Sequence, residues 1–403
     1  MDLRLKEVHR IEKNLKKVPK SLKMLSFAFL IYTLAWGSII PYFSIFLSKT
    51  VANYSQVGFI IALMSIVAAI TSIVMGDLID KVGRKKIILF SFANYLLIGP
   101  LYALTHSVNV LILARVYNGI AAIGVWVPSI TYVRDISPCN KRAEYMGYFY
   151  TASSISYCVG PLIGAVIVSF VDMKYLFYAL ALGALVAAGI INKLPETIKP
   201  KRSMFQGIKD VLFKDRFIEK ELKDYVNEKG LGVKVTMVSF LTKMVSAVLV
   251  MVLALYINNM GGSLWQIGLI YFVMYLPFVF QFAFGDIADH VGAGKMLSIG
   301  AMLSSVFLVA LFFATNIMAI VAFSFVVGVG LAIIGPVISI YISKMAKRNR
   351  GEITGIYGAV DKIAAFTGPI MAGLIADMYG LNFAFVFAAI AMFLVIGVAL
   401  RIR

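Results

Sequence analysis

Long apolar runs alternate with short polar segments along nearly the whole chain. A transmembrane helix needs about 20 predominantly apolar residues to cross the hydrocarbon core of a bilayer. Twelve runs of this kind are present, six on either side of a longer polar stretch at 195–233. They predict spans at 24–48, 54–76, 87–105, 108–133, 146–170, 174–193, 234–258, 264–284, 296–314, 317–343, 353–377 and 381–400. The pattern predicts an all-α membrane protein with twelve transmembrane helices in two six-helix bundles.

The polar segments divide the chain into four parts. Residues 24–194 and 234–403 are the expected bundles, and 195–233 is the expected cytoplasmic linker between them. Residues 1–23 have apolar positions every three or four residues with lysines between them, a spacing typical of a helix on a membrane surface. We therefore expect a cytoplasmic amphipathic segment at 1–23, although a solvated cationic tail fits the same residues. The apolar positions are Leu5, Val8, Ile11, Leu15, Val18 and Leu22.

Composition and charge support the membrane assignment and its topology. The chain is 61% hydrophobic and 14% charged, against about 45–50% and about 25% in soluble domains. The net charge is +18, but the basic residues lie between apolar runs, so nucleic acid is not an expected partner. Of 38 Lys and Arg, only Lys49 and Lys174 lie in loops on one side, and Arg115, Lys243 and Lys362 lie within spans. The positive-inside rule then places both termini in the cytoplasm of a multi-pass protein of the cell membrane.

The two halves of the chain repeat each other. Most matches are 208 residues apart, and one block is 209 residues apart. The matches are Pro128 with Pro336, Arg142 with Arg350, Glu144 with Glu352, Gly147 with Gly355, Gly160-Pro161 with Gly368-Pro369, and the block Gly76–Gly83 with Gly285–Gly292. A collinear series indicates duplication of a six-span unit. Duplicated halves are typical of transporters that work by alternating access, in which the halves rock around a central site.

The first copy of the repeated block resembles a known family motif. Residues 76–86, GDLIDKVGRKK, resemble the loop motif G-x-x-x-D-[RK]-x-G-R-[RK] of the major facilitator superfamily, and they lie between spans two and three as in that family. The resemblance extends over essentially the whole chain. It implies the major facilitator fold, a monomer, and a cytoplasmic latch that closes between the halves when the protein faces outward. The expected latch residues are Gly76, Asp80, Gly83, Arg84, Arg134 and Asp289, with Arg84 and Arg134 as partners for Asp80. The second copy departs from the motif at His290, Ala293 and Gly294.

Two further segments resemble motifs of drug/proton antiporters within this superfamily. Arg115-x-x-x-Gly119 resembles their fourth-span motif R-x-x-x-G, in which the arginine is implicated in proton coupling. Span one contains no Asp or Glu that could pair with Arg115, which would instead use Tyr, Ser, Asn or backbone partners or reach the outer membrane interface. The segment Gly160-Pro161-x-x-Gly164 resembles their fifth-span motif, and Gly368-Pro369 repeats it in span eleven. Small residues allow close helix packing, so these segments are expected at the interface between the halves.

A second candidate for coupling lies in the C-terminal half. Lys243 and Asp361 each lie nine residues into their spans from Lys234 and Glu352, a depth of roughly 14 Å in a core about 30 Å thick. Transporters place substrates and coupling ions at this depth. An ion pair there lowers the cost of burying either charge, and Asp361 is the expected titrating group. Lys362 could compete for the same carboxylate, and a static structural pair is the alternative.

The resemblance places spans one, four, seven and ten around the substrate cavity. Aromatic side chains in these spans could bind lipophilic cations by stacking and cation–π contacts. The same residue types also anchor spans at membrane interfaces. The cavity candidates are Tyr32, Trp36, Tyr42, Trp126, Tyr256 and Tyr341.

These observations favour a proton-coupled antiporter that exports lipophilic or amphiphilic small molecules, with sodium as an alternative coupling ion. One alternative is an importer or facilitator of a small polar metabolite, such as a sugar or organic anion. Another is a non-transporting membrane sensor or assembly partner that docks through the 195–233 linker. No nucleotide-binding loop or nucleophile constellation suggests an enzyme. With two cysteines and three histidines, neither a metal nor another cofactor is expected.

Overall fold

The chain folds almost entirely into helices. The computed structural model describes residues 18–105, 107–138, 141–200, 202–204, 206, 230–345 and 350–401. Over these ranges it contains thirteen helices and no β-strand. They are α1 (Lys20–Ser48), α2 (Tyr54–Val82), α3 (Arg84–Leu104), α4 (Val108–Ile136), α5 (Arg142–Phe170), α6 (Lys174–Ile191), α7 (Leu231–Asn259), α8 (Leu264–Val279), α9 (Gln281–Val291), α10 (Ala293–Phe313), α11 (Ile317–Met345), α12 (Arg350–Tyr379) and α13 (Phe383–Ala399).

These helices supply the twelve predicted spans. Ten of those described are individually long and apolar enough to cross a membrane, and the bent pair α8–α9 makes an eleventh. The last is α13, a shorter apolar helix of 17 residues. Several helices continue beyond their apolar runs, as α2 does to Val82, because the helical backbone still satisfies its own hydrogen bonds in the polar flanks.

The eighth span differs from its prediction. A single helix was expected over 264–284, but α8 ends at Val279, the chain bends by 48°, and α9 continues to Val291. Pro277 lies three residues before the break at Phe280, and proline removes a backbone donor from the helical ladder. The first half has Ala68 at the corresponding position, and α2 runs unbroken for 29 residues.

The helices form two pseudo-symmetric bundles, α1–α6 and α7–α13. Within the first, α1 packs on α5 and α6, α3 on α4 and α6, and α2 on α4. Within the second, α7 packs on α12 and α13, α10 on α11 and α13, and α8 on α11. These are the same pairings in repeat order, so the duplication read from the sequence is also a duplication of packing. The glycines that close the repeated block, Gly83 and Gly292, share positive φ angles of 107° and 102°.

The bundles meet mainly in one half of the membrane. We call the face where the described chain begins and ends the terminal face, and the opposite face the distal face. The principal contacts between bundles are α2 with α12 and α5 with α8, and α1 also touches α7. In the distal half, a Cβ on Gly58 would collide with the Pro369 carbonyl, and one on Gly268 would lie 2.7 Å from the Pro161 carbonyl. Backbone therefore meets backbone across the distal half.

Three described glycines in the terminal half make no such close approach. Gly76, Gly147 and Gly358 lie on the same contact-forming helices but nearer the terminal face. A Cβ placed on any of them would meet no atom within 4 Å. Among the described residues, the close backbone approaches between the bundles therefore lie in the distal half.

Parts of the predicted domain division lie outside the described residues. These are residues 1–17 of the N-terminal segment and most of the 195–233 linker. The described start of the linker, 195–200, runs beside the first bundle, where the Pro195 carbonyl accepts a hydrogen bond from the Tyr132 hydroxyl at 2.9 Å.

Candidate functional site

A charged cluster lies between α7 and α12 near the middle of both helices. Asp361 Oδ2 is 3.8 Å from Lys243 Nζ, and Asp361 Oδ1 accepts a hydrogen bond from the Ser239 hydroxyl at 2.7 Å. The Lys243 and Asp361 side chains are 52% and 32% exposed. The fold therefore brings the predicted pair together, and both side chains remain partly exposed.

Close helix packing positions this cluster. A Cβ on Gly368 would lie 2.6 Å from the Met244 carbonyl and 3.2 Å from Ala247 Cβ, so only glycine allows α12 to lie this close to α7. Ser239 and Lys243 are four residues apart and lie on one face of α7. Both can therefore reach the same carboxylate on α12.

Lys362 follows Asp361 on α12 but does not share its partners. Adjacent residues on a helix point about 100° apart, but the Lys362 ammonium still interacts electrostatically with both Asp361 and Lys243. Within the described residues its side chain makes no hydrogen bond or ion pair. The cluster therefore contains two ammonium groups and one carboxylate.

Arg115 lies apart from this cluster, inside the first bundle. Its Nε donates to the Ile60 carbonyl at 3.2 Å and its Nη2 to the Ile61 carbonyl at 3.0 Å, both on α2. Its guanidinium carbon lies 4.5 Å from the centre of the Phe43 ring. Arg115 is 5% exposed, and no carboxylate among the described residues contacts it. The side chain is held by helix carbonyls and an aromatic face.

The spacing of Arg115 and Gly119 explains this arrangement. The two residues lie on one face of α4, one turn apart. A Cβ on Gly119 would lie 2.9 Å from the Met64 carbonyl and from Val67 Cβ. Glycine thus brings α2 close enough for its carbonyls to reach Arg115.

The predicted cavity aromatics lie in different surroundings. Tyr32 is buried and donates to Tyr95 at 2.7 Å, and Tyr95 donates to Asn118 at 3.1 Å. Tyr42 bridges the bundles, because its hydroxyl is 3.1 Å from the Leu264 carbonyl.

The remaining aromatics line other parts of the bundles. Tyr256 donates to the Ala314 carbonyl at 2.9 Å within the second bundle. The Trp126 ring packs edge-on against Phe29 at 4.7 Å. Trp36 is partly buried against the core, and Tyr341 is buried. Trp36 and Trp126 are thus the partly exposed members nearest the middle of the first bundle.

The latch residues of the first copy contact their own bundle and the start of the linker. Arg84 pairs with Asp80 at 2.8 Å, as expected, and also with Asp135 at 2.9 Å. Asp80 is 66% exposed. The Arg134 and Asp289 side chains make no hydrogen bond or ion pair with any described residue. In this conformation the motif does not bridge the described parts of the two bundles.

Glu196 fixes the turn within the latch motif. Its Oε1 accepts from the backbone N–H groups of Arg84 and Lys85 at 2.9 and 3.3 Å, and so caps the start of α3. A Cβ on Gly83 would lie 2.5 Å from Glu196 Oε2, and the positive φ also favours glycine. The positive φ is the main reason for glycine at this position, since the Glu196 carboxylate could shift to admit a Cβ.

The Gly-Pro segments lie where helices approach most closely. Gly160 packs on α1, with a hypothetical Cβ 2.7 Å from the Gly37 carbonyl carbon, and Gly164 packs on the Ser38 carbonyl. Pro161 and Pro369 face α8 and α2 of the opposite bundle. These segments therefore serve packing both within a bundle and between bundles.

Four polar residues that take part in these contacts were not predicted. Ser239, Asp135, Glu196 and Asp377 are each brought to their partners by tertiary packing. For three of them the available signal was a carboxylate at the end of an apolar run. Ser239 is a hydroxyl four residues before a lysine in a span, which is a weak signal by itself. Among the described residues, no group of three or more His, Cys, Asp and Glu is placed to hold a metal ion.

Comparison with known proteins identifies the family. The chain matches the description Major Facilitator Superfamily over residues 25–279 and 235–403. Quinolone resistance protein NorA of Staphylococcus aureus (strain COL) is 26% identical over 367 residues, covering 89% of this chain and 91% of that protein. The uncharacterized MFS-type transporter MJ1560 of Methanocaldococcus jannaschii is 26% identical over 372 residues, covering 91% and 94%.

Two solved structures share the fold at low sequence identity. A bacterial homolog of the human lysosomal transporter Spinster, in an inward-facing and unoccupied conformation, has a TM-score of 0.77 and 12% identity, covering 95% of this chain and 96% of that one. The human organic anion transporter MFSD10 (TETRAN) has a TM-score of 0.66 and 16% identity, covering 95% and 100%. The loop motif, the duplicated six-span unit, the paired bundles and the family match agree, and the chain belongs to the Major Facilitator Superfamily of membrane transporters.

Proposed function

We propose that this transporter works by alternating access and exports lipophilic or amphiphilic small molecules in exchange for protons. The main observation in support is the partly exposed Lys243–Asp361 pair, which lies midway along two helices and is hydrogen-bonded to Ser239. A charge at this depth costs at least about 2.5 kcal/mol on insertion scales, which favours a functional reason for keeping it. The similarity to NorA, whose name describes quinolone resistance, supports a drug-like substrate.

The proposed orientation follows from the basic residues. They concentrate on the terminal face, so we place that face in the cytoplasm and the protein in the cell membrane. With this orientation the described conformation opens inward, since the bundles meet at the distal face. Substrate would enter the site from the cytoplasm or the inner leaflet in this state.

Asp361 is the proposed proton carrier. As a carboxylate it holds the Lys243 ammonium and the Ser239 hydroxyl. Protonation would remove its attraction for Lys243 and weaken the contact between α7 and α12. Because α12 also packs on α2 of the other bundle, a shift of α12 on protonation of Asp361 would also change the contact between the two bundles.

We assign Arg115 a positioning role. Coupling through this residue would be supported by a carboxylate partner, and its described partners are the two α2 carbonyls, the Phe43 ring and the Tyr102 hydroxyl. The guanidinium therefore joins α4, α2 and α1.

The proton-coupling proposal is tested in everted vesicles loaded with a pH-sensitive dye. Lipophilic cations should collapse an imposed pH gradient in vesicles with the wild-type protein, and Asp361→Asn should abolish this collapse while leaving protein levels unchanged. Asp172→Asn is the matched control, because it removes a carboxylate from an exposed distal loop and should retain activity. Full proton-coupled transport by Asp361→Asn would contradict the proposed carrier.

A second candidate function is transport of an organic anion, and Lys362 supports it. Two ammonium groups and one carboxylate leave the cluster with an excess positive charge that a substrate carboxylate would neutralise. The same vesicles would therefore also be tested with small organic anions. Anion-dependent transport that Lys362→Gln reduces at least tenfold, with cation transport absent, would favour this candidate over drug export.

A further inference from the structure

One carboxylate joins the distal ends of α2 and α12, which belong to opposite bundles. Asp377 Oδ1 accepts a hydrogen bond from the backbone N–H of Tyr54 at 2.8 Å, and Oδ2 accepts one from the N–H of Ser55 at 2.8 Å. The Ser55 hydroxyl also donates to Oδ2. A side chain of the second bundle thus receives three hydrogen bonds from the first turn of a helix in the first bundle.

Within the described part of the first bundle, these two N–H groups have no hydrogen-bond acceptor. The first four N–H groups of a helix have no partner within the helix. The Asn53 side chain accepts from Gln56 N at 2.9 Å, and the Asn53 carbonyl accepts from Val57 N at 3.3 Å. The N–H groups of Tyr54 and Ser55 remain, and both point to Asp377. The positive end of the helix dipole attracts the same carboxylate.

The neighbouring contacts make this reach possible. Gly373 lies one turn before Asp377, and a Cβ there would be 2.5 Å from the Tyr54 carbonyl. Only glycine allows α12 to pass this close to the start of α2. Asn259, at the end of α7, adds a second link, since its side-chain amide donates to the Tyr54 hydroxyl at 2.7 Å.

We infer that Asp377 is a distal latch, a positioning residue that stabilises the state in which the distal face is closed. Its hydrogen bonds cross between bundles, so they exist only while the distal ends are together, and opening replaces them with water. The inference rests on alternating access as set out in the proposed function. Asp377 is exposed, so the exchange with water costs little and the latch shifts the balance between states without locking it.

Asp172 provides a matched comparison within the same chain. It is also an exposed aspartate on the distal face, and its Oδ1 accepts from the backbone N–H of Lys174 at 2.9 Å near the start of α6. That contact lies within one bundle, so it persists whether the distal face is open or closed. Replacing either aspartate with asparagine removes the same charge from the same face.

The test measures the distal opening directly. Spin labels at Ser107→Cys and Thr315→Cys, with Cys139 and Cys158 replaced by serine, report the distance between exposed distal loops of the two bundles. Asp377→Asn should raise the ratio of long to short distances about fivefold, because the amide loses one acceptor oxygen and the negative charge that the start of α2 attracts, a change of about 1 kcal/mol. Ser55→Ala should raise it less, and Asp172→Asn should leave it unchanged.

Gly58→Leu shows that the probe responds, because its side chain would collide with Pro369 and force the distal ends apart. If Gly58→Leu lengthens the distance and Asp377→Asn does not, the latch is refuted. An equal shift in Asp172→Asn would also refute it, because charge on the face would then be the cause. These distances need neither substrate nor a proton gradient, so failure of the proposed antiport would leave this result intact.

Discussion

The Arg115 guanidinium lies against two α2 carbonyls and the Phe43 ring, and no carboxylate among the described residues contacts it. Each carbonyl already accepts one helical hydrogen bond and has a second lone pair for the arginine. The planar fork of the guanidinium suits two adjacent acceptors better than a lysine ammonium does. The residue can therefore remain charged in the bundle without a neighbouring acid.

Arg115→Lys is expected to destabilise the protein without changing its coupling. The substitution keeps the charge but loses the bidentate contact, at a cost of about 1.5–3 kcal/mol. Thermal unfolding in detergent should show a lower midpoint, whereas the number of protons exchanged per substrate should stay the same. A changed proton stoichiometry with normal stability would instead assign Arg115 to coupling.

For individual residues, some contact partners could be predicted from the sequence and others could not. Lys243 and Asp361 could be found because a charge within an apolar run stands out, and the structure brings them to 3.8 Å. Asp377 and Glu196 act at helix ends, where a carboxylate is ordinary in sequence. Their partners are backbone N–H groups, which every residue but proline carries, so no residue pattern marks the contact.

At the level of elements, the break between α8 and α9 is the main departure from the repeat. Hydropathy marks where a run is apolar, but it does not detect a bend, and the predicted span stopped at 284 because polar residues follow. Pro277 was the available local signal. The two halves of the chain therefore differ in the shape of their second span, which is bent in one and continuous in the other, although they share their packing partners.

Pro277→Ala should make α8 and α9 more continuous. The substitution restores an N–H that can bond the Val273 carbonyl and removes the clash of the proline ring with the preceding turn. If these impose the bend, the straightened helix should slow amide hydrogen exchange at 278–282 by about tenfold for a gain near 1.4 kcal/mol. Mass spectrometry of the exchanged peptides measures this change. Pro100→Ala in α3 is the control and should leave 278–282 unaffected, and unchanged exchange in Pro277→Ala would mean that another contact imposes the bend.

At the level of the whole molecule, the sequence predicts the two bundles and leaves their relative position open. The 208- and 209-residue repeat predicts equivalent helix pairs, and the structure has them. Whether the bundles meet at the distal or terminal face cannot be read from the same residues, because both arrangements bury the same apolar stripes. The free-energy difference between these two arrangements depends on contacts that each contribute little, such as the hydrogen bonds of Asp377.

The sixth span of each bundle is short, and this has a consequence for the surrounding lipid. With 18 and 17 residues, α6 and α13 extend about 27 and about 26 Å at 1.5 Å per residue, below the roughly 30 Å of an average hydrocarbon core. Leu182 and Leu185 of α6 and Phe393 and Leu394 of α13 are exposed on their surfaces. Acyl chains beside these helices would have to shorten, so the bilayer is expected to thin at two opposite places around the protein.

Transport should therefore depend on membrane thickness. In proteoliposomes of phosphatidylcholine, lengthening the acyl chains from 16 to 22 carbons should slow initial transport by about two- to fivefold, given mismatch costs of fractions of a kcal/mol per Å. Substrate affinity in detergent, measured in parallel, separates a bilayer effect from damage to the protein. A rate that rises with chain length would mean that the flanking residues of α6 and α13 already span the core. A rate that falls as expected would make lipid thickness a determinant of transport that acts through α6 and α13 at the edges of the protein, far from the Lys243–Asp361 pair.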